Sequence, residues 1–230
     1  MRAMTRWVAT VALLALGCSA DGNGPAPRSP HGNVVVYPTG GTTLTGLATL
    51  DLVGDARRDL ITIARGDGSV RVLPGDAAGA FGAALTFMAG DDPIRATIGD
   101  ANGDGRDDII VACFGLSNQL LVRLSTGSAF ADPVAIPLSS PVGVALGDLD
   151  GDGKLDAVAS NIEDGTVSLL HGNGDGSFGP PVHVPMGPEP VSLAVADFDR
   201  DGLTDIAVTS LGDHAVRVLL SPAFRSTVVR

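Results

Sequence analysis

DLDGDGKLD, Asp148 to Asp156, places four carboxylates within nine residues. Like charges this close disfavour ionisation and folding unless a cation sits between them. The stretch therefore asks for a metal ion or for a very wet loop, and its recurrence decides what it belongs to. It returns as DANGDGRDD (Asp100 to Asp108) and DFDRDGLTD (Asp197 to Asp205), with a decayed relative, DLVGDARRD, at Asp51 to Asp59. The four copies begin 49, 48 and 49 residues apart. A fixed period of this size is the mark of a repeat architecture.

The neighbourhood repeats with the loop. Before each copy runs a short apolar segment (LTGLATLD, PIRATIGD, PVGVALGD, PVSLAVAD) and after it another (LITIARG, IIVACFG, AVASNIE, IAVTSLG). A turn follows, then SVRVLPG, QLLVRLS, TVSLLHG or AVRVLLS, and a Gly/Ser/Ala-rich corner with a phenylalanine (Phe81, Phe130, Phe178, Phe224) opens a last strand. Each unit thus reads as four short strands, with no helix-length amphipathic segment between them. Four antiparallel strands every 50 residues or so is the arithmetic of a β-propeller blade. The expected fold is all-β, a propeller of four-stranded antiparallel blades over residues 34–230, with units at about 41–90, 91–139, 140–187 and 188–230. A WD40 propeller is disfavoured because the single tryptophan, Trp7, lies near the N-terminus. A calcium β-helix is disfavoured because the period is not nine.

Composition agrees. The 230 residues are 44% apolar, enough for a sizeable core, and 31 glycines and 15 prolines suit many tight turns. The net charge of -11 argues against binding nucleic acid. MRAMTRW carries Arg2 and Arg6, and the apolar run VATVALLALG follows. This is a signal-peptide pattern, so residues 1–20 are expected to direct export. ALGC, Ala15 to Cys18, resembles the lipobox of bacterial lipoproteins, with Ala15 where leucine is usual and Leu16 where a small residue is usual. Cys18 is the expected lipidation point, giving an envelope-anchored protein; the alternative is simple cleavage after Ala20 and a secreted or periplasmic product. Residues 21–33, rich in Gly, Pro and Asn, read as a flexible tether. The other cysteine, Cys113, sits in IIVACFG and reads as a buried thiol.

An apolar strand, then D-x-[DN]-x-D-G-x-x-D, then another apolar strand, with a corner such as GNGDGSFGPP (Gly172 to Pro181), resembles the FG-GAP and VCBS repeats. Those repeats form the propeller of integrin alpha subunits and of many exported bacterial proteins. The resemblance covers residues 33–230 and implies a Ca2+ ion in each intact loop. The chemistry of the loop supports the same reading, since Ca2+ takes 6 to 8 oxygen ligands and carboxylates at alternate positions of a short loop can wrap it. Positions 1, 3, 5 and 9 supply Asp148, Asp150, Asp152 and Asp156 in the third unit, with the carbonyl of Lys154 at position 7. The second unit offers Asp100, Asn102, Asp104 and Asp108 with the carbonyl of Arg106; the fourth offers Asp197, Asp199, Asp201 and Asp205 with that of Leu203. Glycine at position 6 is expected to take a positive φ and turn the loop back on the ion.

The first unit is a degenerate fourth site. Asp51, Asp55 and Asp59 remain, but Val53 replaces the position-3 ligand and Ala56 the position-6 glycine. An EF-hand or dockerin loop would need a carboxylate at position 12, where this chain has Val111, Ala159 and Val208. Fourteen of the 26 acidic residues stand at ligand positions of these loops. Because an ion-free loop would leave its carboxylates unneutralised, the expected role of calcium is mainly stabilising.

Enzyme chemistry is thin. His31, His171, His183 and His214 show no metal-ligand spacing and read as turn or surface residues, and no G-x-S-x-G or H-E-x-x-H occurs. The expected function is a non-enzymatic, calcium-binding propeller at the cell envelope that binds or adheres to an unidentified protein or glycan. A lectin-like propeller is the alternative, and a propeller lyase or dehydratase the more distant one. NVVVYPTG, Asn33 to Gly40, reads as the last strand of a blade, yet the fourth unit carries its own candidate in FRSTVVR, Phe224 to Arg230. Closure at four blades, a truncated ring and self-association through exposed edges all remain open.

Overall fold

The protein is described from a computed structural model covering residues 35–52 and 55–221. The leader, the tether, Cys18, Phe224 and the FRSTVVR strand lie outside the described residues. The chain divides after Tyr37 into two units, and every described strand belongs to the second.

Among the described residues, fifteen strands form four antiparallel sheets in chain order. The first holds β1 (Leu44–Leu50), β2 (Asp59–Ala64), β3 (Ser69–Leu73) and β4 (Leu85–Met88). The second holds β5 (Pro93–Gly99), β6 (Asp108–Cys113), β7 (Gln119–Arg123) and β8 (Val134–Pro137). The third holds β9 (Pro141–Gly147), β10 (Asp156–Asn161), β11 (Thr166–Leu170) and β12 (Val182–Pro185). Among the described residues the fourth shows three strands, β13 (Pro190–Ala196), β14 (Asp205–Ser210) and β15 (Ala215–Leu219). Each is an up-and-down meander, and the all-β, four-blade reading of the repeat holds.

Packing explains why the blades need one another. In β6 and β10 every residue is buried, because alternate side chains point into two different cores. Ile109, Val111 and Cys113 face the first sheet, joining Leu50, Ile61, Val70 and Val72, while Ile110 and Ala112 face the third, joining Val144, Ala157, Ala159 and Leu170. Val158, Val167 and Leu169 of the third sheet meet Ile206 and Val208 of the fourth. Full burial of a Val, Leu or Ile is worth about 1.5–3 kcal/mol, so each sheet draws its stability from the interface with the next. Among the described residues, none of these three clusters joins the fourth sheet back to the first.

The corner phenylalanines act as wedges. Phe81, Phe130 and Phe178 bridge back to Gly75, Ser125 and Gly172 across their corners. Phe130 packs into the core between the first two sheets, edge-on to Phe87 at 4.8 Å, and Phe178 into the core between the second and third. Cys113 is fully buried, as its sequence context implies; its Sγ lies 2.8 Å from the Ala89 carbonyl, and burial pushes its thiol up to about 12. That thiol is unreactive.

Of the strand expected at residues 34–40, the described part, residues 35–40, forms none. Residues 35–40 carry no strand pairing, and Val35 and Val36 are exposed. Pro38 removes one ladder donor, and Gly40, at φ 72°, turns the chain toward β1.

Candidate metal centres in the blade loops

Each acidic loop is the hairpin connection from the first to the second strand of its blade. Its ninth residue opens the second strand and pairs with the last residue of the first: Asp59 with Leu50, Asp108 with Gly99, Asp156 with Gly147, Asp205 with Ala196. Register therefore places all four loops on the same edge of their blades.

The ninth aspartate is the buried end of the loop, at most 2% exposed in every blade. Both of its oxygens accept backbone hydrogen bonds. Asp156 takes the Leu149 N–H at 2.9 Å and the Gly172 N–H at 2.7 Å. Asp59 is held by Leu52 and Gly75, Asp108 by Ala101 and Ser125, and Asp205 by Phe198 and Ser221. One side chain thus ties the loop's second residue to the chain leaving the third strand. Burial pushes the Asp108 and Asp156 carboxyls above the ordinary range, against the backbone donors that pull the other way.

The other acids organise the exposed half. The first aspartate (Asp51, Asp100, Asp148, Asp197) accepts the N–H groups of positions 5 and 6 in all four blades. The third-position oxygens of Asn102, Asp150 and Asp199 accept the position-5 N–H. The fifth (Asp55, Asp104, Asp152, Asp201) accepts the N–H of position 7, contributed by Arg57, Arg106, Lys154 and Leu203. Every loop is folded over its own carboxylates before any ion is considered. The Lys154 backbone N–H, helped by its ammonium 3.2 Å away, holds the Asp152 carboxyl below the ordinary range.

The donor set fits a hard divalent cation. Asp148, Asp150 and Asp152 bring one oxygen each within 4.8 Å of one another, and so do Asp197, Asp199 and Asp205. Two ligands of one Ca2+, at 2.3–2.6 Å each, stand no more than about 5 Å apart. Position 6 turns back as expected, with Gly105, Gly153 and Gly202 at φ 82°, 84° and 88°.

Three features were not read from the sequence. Position 4 also takes a positive φ, 75° at Gly103 and 79° at Gly151, and Arg200 adopts 65° there without being glycine. At its described residues the first loop keeps the bonds of the others, Asp51 accepting the N–H groups of Asp55 and Ala56, with Ala56 at φ 63°. In it Asp55 pairs with Arg57 at 2.8 Å, whereas Arg58 reaches Asp107 of the next blade at 3.1 Å. Third, His171 is not a bystander: its Nδ1 lies 3.0 Å from Asp150 Oδ2 and 3.3 Å from Asp156 Oδ1. Aligning the ends of the third strands, rather than the acidic motifs, would have brought it into view. Of the other histidines, His183 Nδ1 contacts the Ser168 hydroxyl at 3.0 Å and His214 occupies a turn at φ 57°; His31 lies outside the described residues.

The family model for the FG-GAP-like repeat matches the chain three times, over residues 51–111, 100–159 and 148–208. No curated protein matches. Among solved structures, the chain is similar to BBS1N in its complex with ARL6DN (TM-score 0.58, 13% identity, 79% of this chain and 56% of that one). It is also similar to virginiamycin B lyase from Staphylococcus aureus (TM-score 0.55, 12% identity, 83% and 60%). A third is the V. cholerae biofilm matrix protein Bap1 (TM-score 0.50, 18% identity, 76% and 26%). The chain spans about half the length of the first structures it matches. The likeness to these structures is one of fold.

Proposed function

The chain belongs to the FG-GAP-like repeat family, and from that premise we propose that it is an exported, non-enzymatic scaffold whose loops bind Ca2+ and whose surface engages a protein or glycan at the cell envelope. The observation that carries the calcium assignment is repetition: the same set of main-chain bonds holds the carboxylates of the second, third and fourth loops in one arrangement. The ion would be held by the side-chain oxygens at positions 1, 3, 5 and 9, the Asn102 amide oxygen among them, and by the carbonyls of Arg106, Lys154 and Leu203. It would neutralise the charge crowded there and lock the first strand of a blade to the second. An integrin-like adhesive role follows from the family resemblance and from acids concentrated in these loops rather than in a catalytic cleft.

Isothermal titration of the whole chain with Ca2+ tests this directly. Sites in the second, third and fourth loops are expected, with Asp100→Ala, Asp148→Ala and Asp197→Ala each removing one; no uptake at millimolar Ca2+ would overturn the assignment. The export half rests on the leader pattern and on ALGC. Labelled fatty acid should enter the protein in a bacterial host and vanish from Cys18→Ala; absence of label in both would leave the simple secreted form. A glycan partner is favoured by one observation, the exposed ring of Phe198 at position 2 of the fourth loop, which offers a stacking face beside an ion site. Calcium-dependent glycan-array binding lost in Phe198→Ala would establish it.

A further inference from the structure

The four blades allow an internal comparison that separates the third loop from its siblings. The residue just before the chain's return bond to the ninth aspartate is Pro74, Leu124, His171 or Leu220 in blades one to four. In the third blade alone this position carries a side chain able to ligate a metal. It does not point away. His171 Nδ1 sits 3.0 Å from Asp150 Oδ2 and 3.3 Å from Asp156 Oδ1, with Nε2 3.8 Å from Asp152 Oδ2. Asp150, Asp156 and His171 form a ligand triad whose donor atoms all lie within 4.8 Å.

We propose that the third loop is a mixed nitrogen–oxygen site, in which His171 joins Asp150 and Asp156 on a divalent transition-series cation of the zinc class, in preference to Ca2+. The inference rests on the reading that these loops hold divalent cations: the third loop takes Ca2+ when no zinc-class ion is present and exchanges it for that ion when one is. Calcium takes oxygen ligands, whereas imidazole suits Zn2+ and its neighbours. The geometry agrees: bonds of 2.0–2.1 Å arranged tetrahedrally set ligand atoms about 3.3 Å apart, close to the two Nδ1 separations. The triad joins a rigid wall to an open side. Asp156 is buried and pinned by the Gly172 N–H at 2.7 Å, next in the chain to His171, while the imidazole and Asp150 are partly exposed and leave an entry path. Loops two and four, with leucine in place of this histidine, keep an all-oxygen set.

The test uses Co2+ as a spectroscopic substitute for Zn2+ on the whole chain, with Ca2+ titrated in parallel. One Co2+ per chain is expected to bind with a visible absorption band and a paramagnetically shifted imidazole proton, and equimolar Zn2+ should displace it. His171→Leu, which installs the residue of blades two and four, should weaken Co2+ at least about tenfold while leaving Ca2+ uptake intact or increased. His171→Gln should behave alike. Unchanged Co2+ affinity in both variants, or displacement of Co2+ by equimolar Ca2+, overturns the proposal. Co2+ uptake through His171 without Ca2+ uptake elsewhere would instead sink the calcium reading and leave this one standing. Ca2+ uptake without any His171-dependent Co2+ site does the reverse.

Discussion

Asp156→Ala separates two roles that the sequence merges in one carboxylate. Asp156 stands at a ligand position, but in the structure it is also the acceptor for two buried backbone donors, Leu149 N–H at 2.9 Å and Gly172 N–H at 2.7 Å. Truncation leaves both donors orphaned in a site that is 1% exposed. An unsatisfied buried donor costs about 1–3 kcal/mol, and relief from burying the carboxylate, whose carboxyl is already pushed upward, offsets part of that sum. A net loss of about 2–4 kcal/mol is expected in the absence of any ion, a large share of the roughly 5–15 kcal/mol that holds a domain folded. Asp150→Ala is the control. Its carboxylate is partly exposed, accepts the Asp152 N–H and meets the half-exposed His171 imidazole, and its removal leaves no buried donor orphaned, so in metal-free buffer it should cost about 1 kcal/mol or less. With saturating Ca2+ both variants lose a further increment, about 2.7 kcal/mol per site at a hundredfold excess over Kd. Urea melts of the two variants, each with Ca2+ and with chelator, give the four values needed. Equal destabilisation of both variants in chelator would refute the assignment of position 9 as a structural pin.

Three further outcomes follow from the same geometry. Burial raises the Asp108 carboxyl above its ordinary 3.8 in the folded state, so in metal-free buffer its contribution is fully present below about pH 3.8 and is lost as pH rises through the raised value; the stability of wild type relative to Asp108→Asn should fall over that interval, and a rise would contradict it. Phe178→Ala, which removes the wedge between the second and third sheets, should cost about 2–4 kcal/mol in a urea melt, whereas the exposed Phe198→Ala should stay within about 0.5 kcal/mol. Val53→Asp combined with Ala56→Gly should restore a fourth Ca2+ site in a calorimetric titration, because Asp51 and Asp55 already accept the same backbone N–H groups as their counterparts in the other loops and Ala56 holds φ 63° at a cost glycine avoids, of the order of 1 kcal/mol.

Much of the architecture was legible because it is written four times. A single DLDGDGKLD could belong to a helical calcium loop or a wet turn; the 49-residue return of the apolar segments around it made it a hairpin connection, and the register of Asp156 against Gly147 agrees. What escaped was whatever lies outside the repeated motif or depends on tertiary packing. His171 belongs to the end of a strand 15 residues beyond Asp156 and enters the loop only once the blade is folded. The turns into the first strands are equally hidden: Thr43, Asp92, Ser140 and Glu189, each the residue before its blade's first strand, adopt φ near 50°, a region uncommon for residues other than glycine. The carbonyl of each accepts a hydrogen bond from the N–H just past the end of its own blade's second strand, that of Arg65, Phe114, Ile162 or Leu211, so pairing within the blade overrides local propensity. At residues 35–40 the β-branched start misled, because Pro38 and the turn at Gly40 outweigh strand propensity.

The central claim is that the loops clamp the blades through Ca2+, and thermal unfolding of the whole chain in Ca2+ and in chelator addresses it most directly. Three loops at a hundredfold excess over Kd contribute about 8 kcal/mol, and at about 2–4 °C per kcal/mol for a chain of this length the melting temperature should rise by roughly 15–30 °C. Asp100→Ala, Asp148→Ala and Asp197→Ala together should abolish that rise. Identical melting temperatures with and without Ca2+ in the wild-type chain would contradict the account.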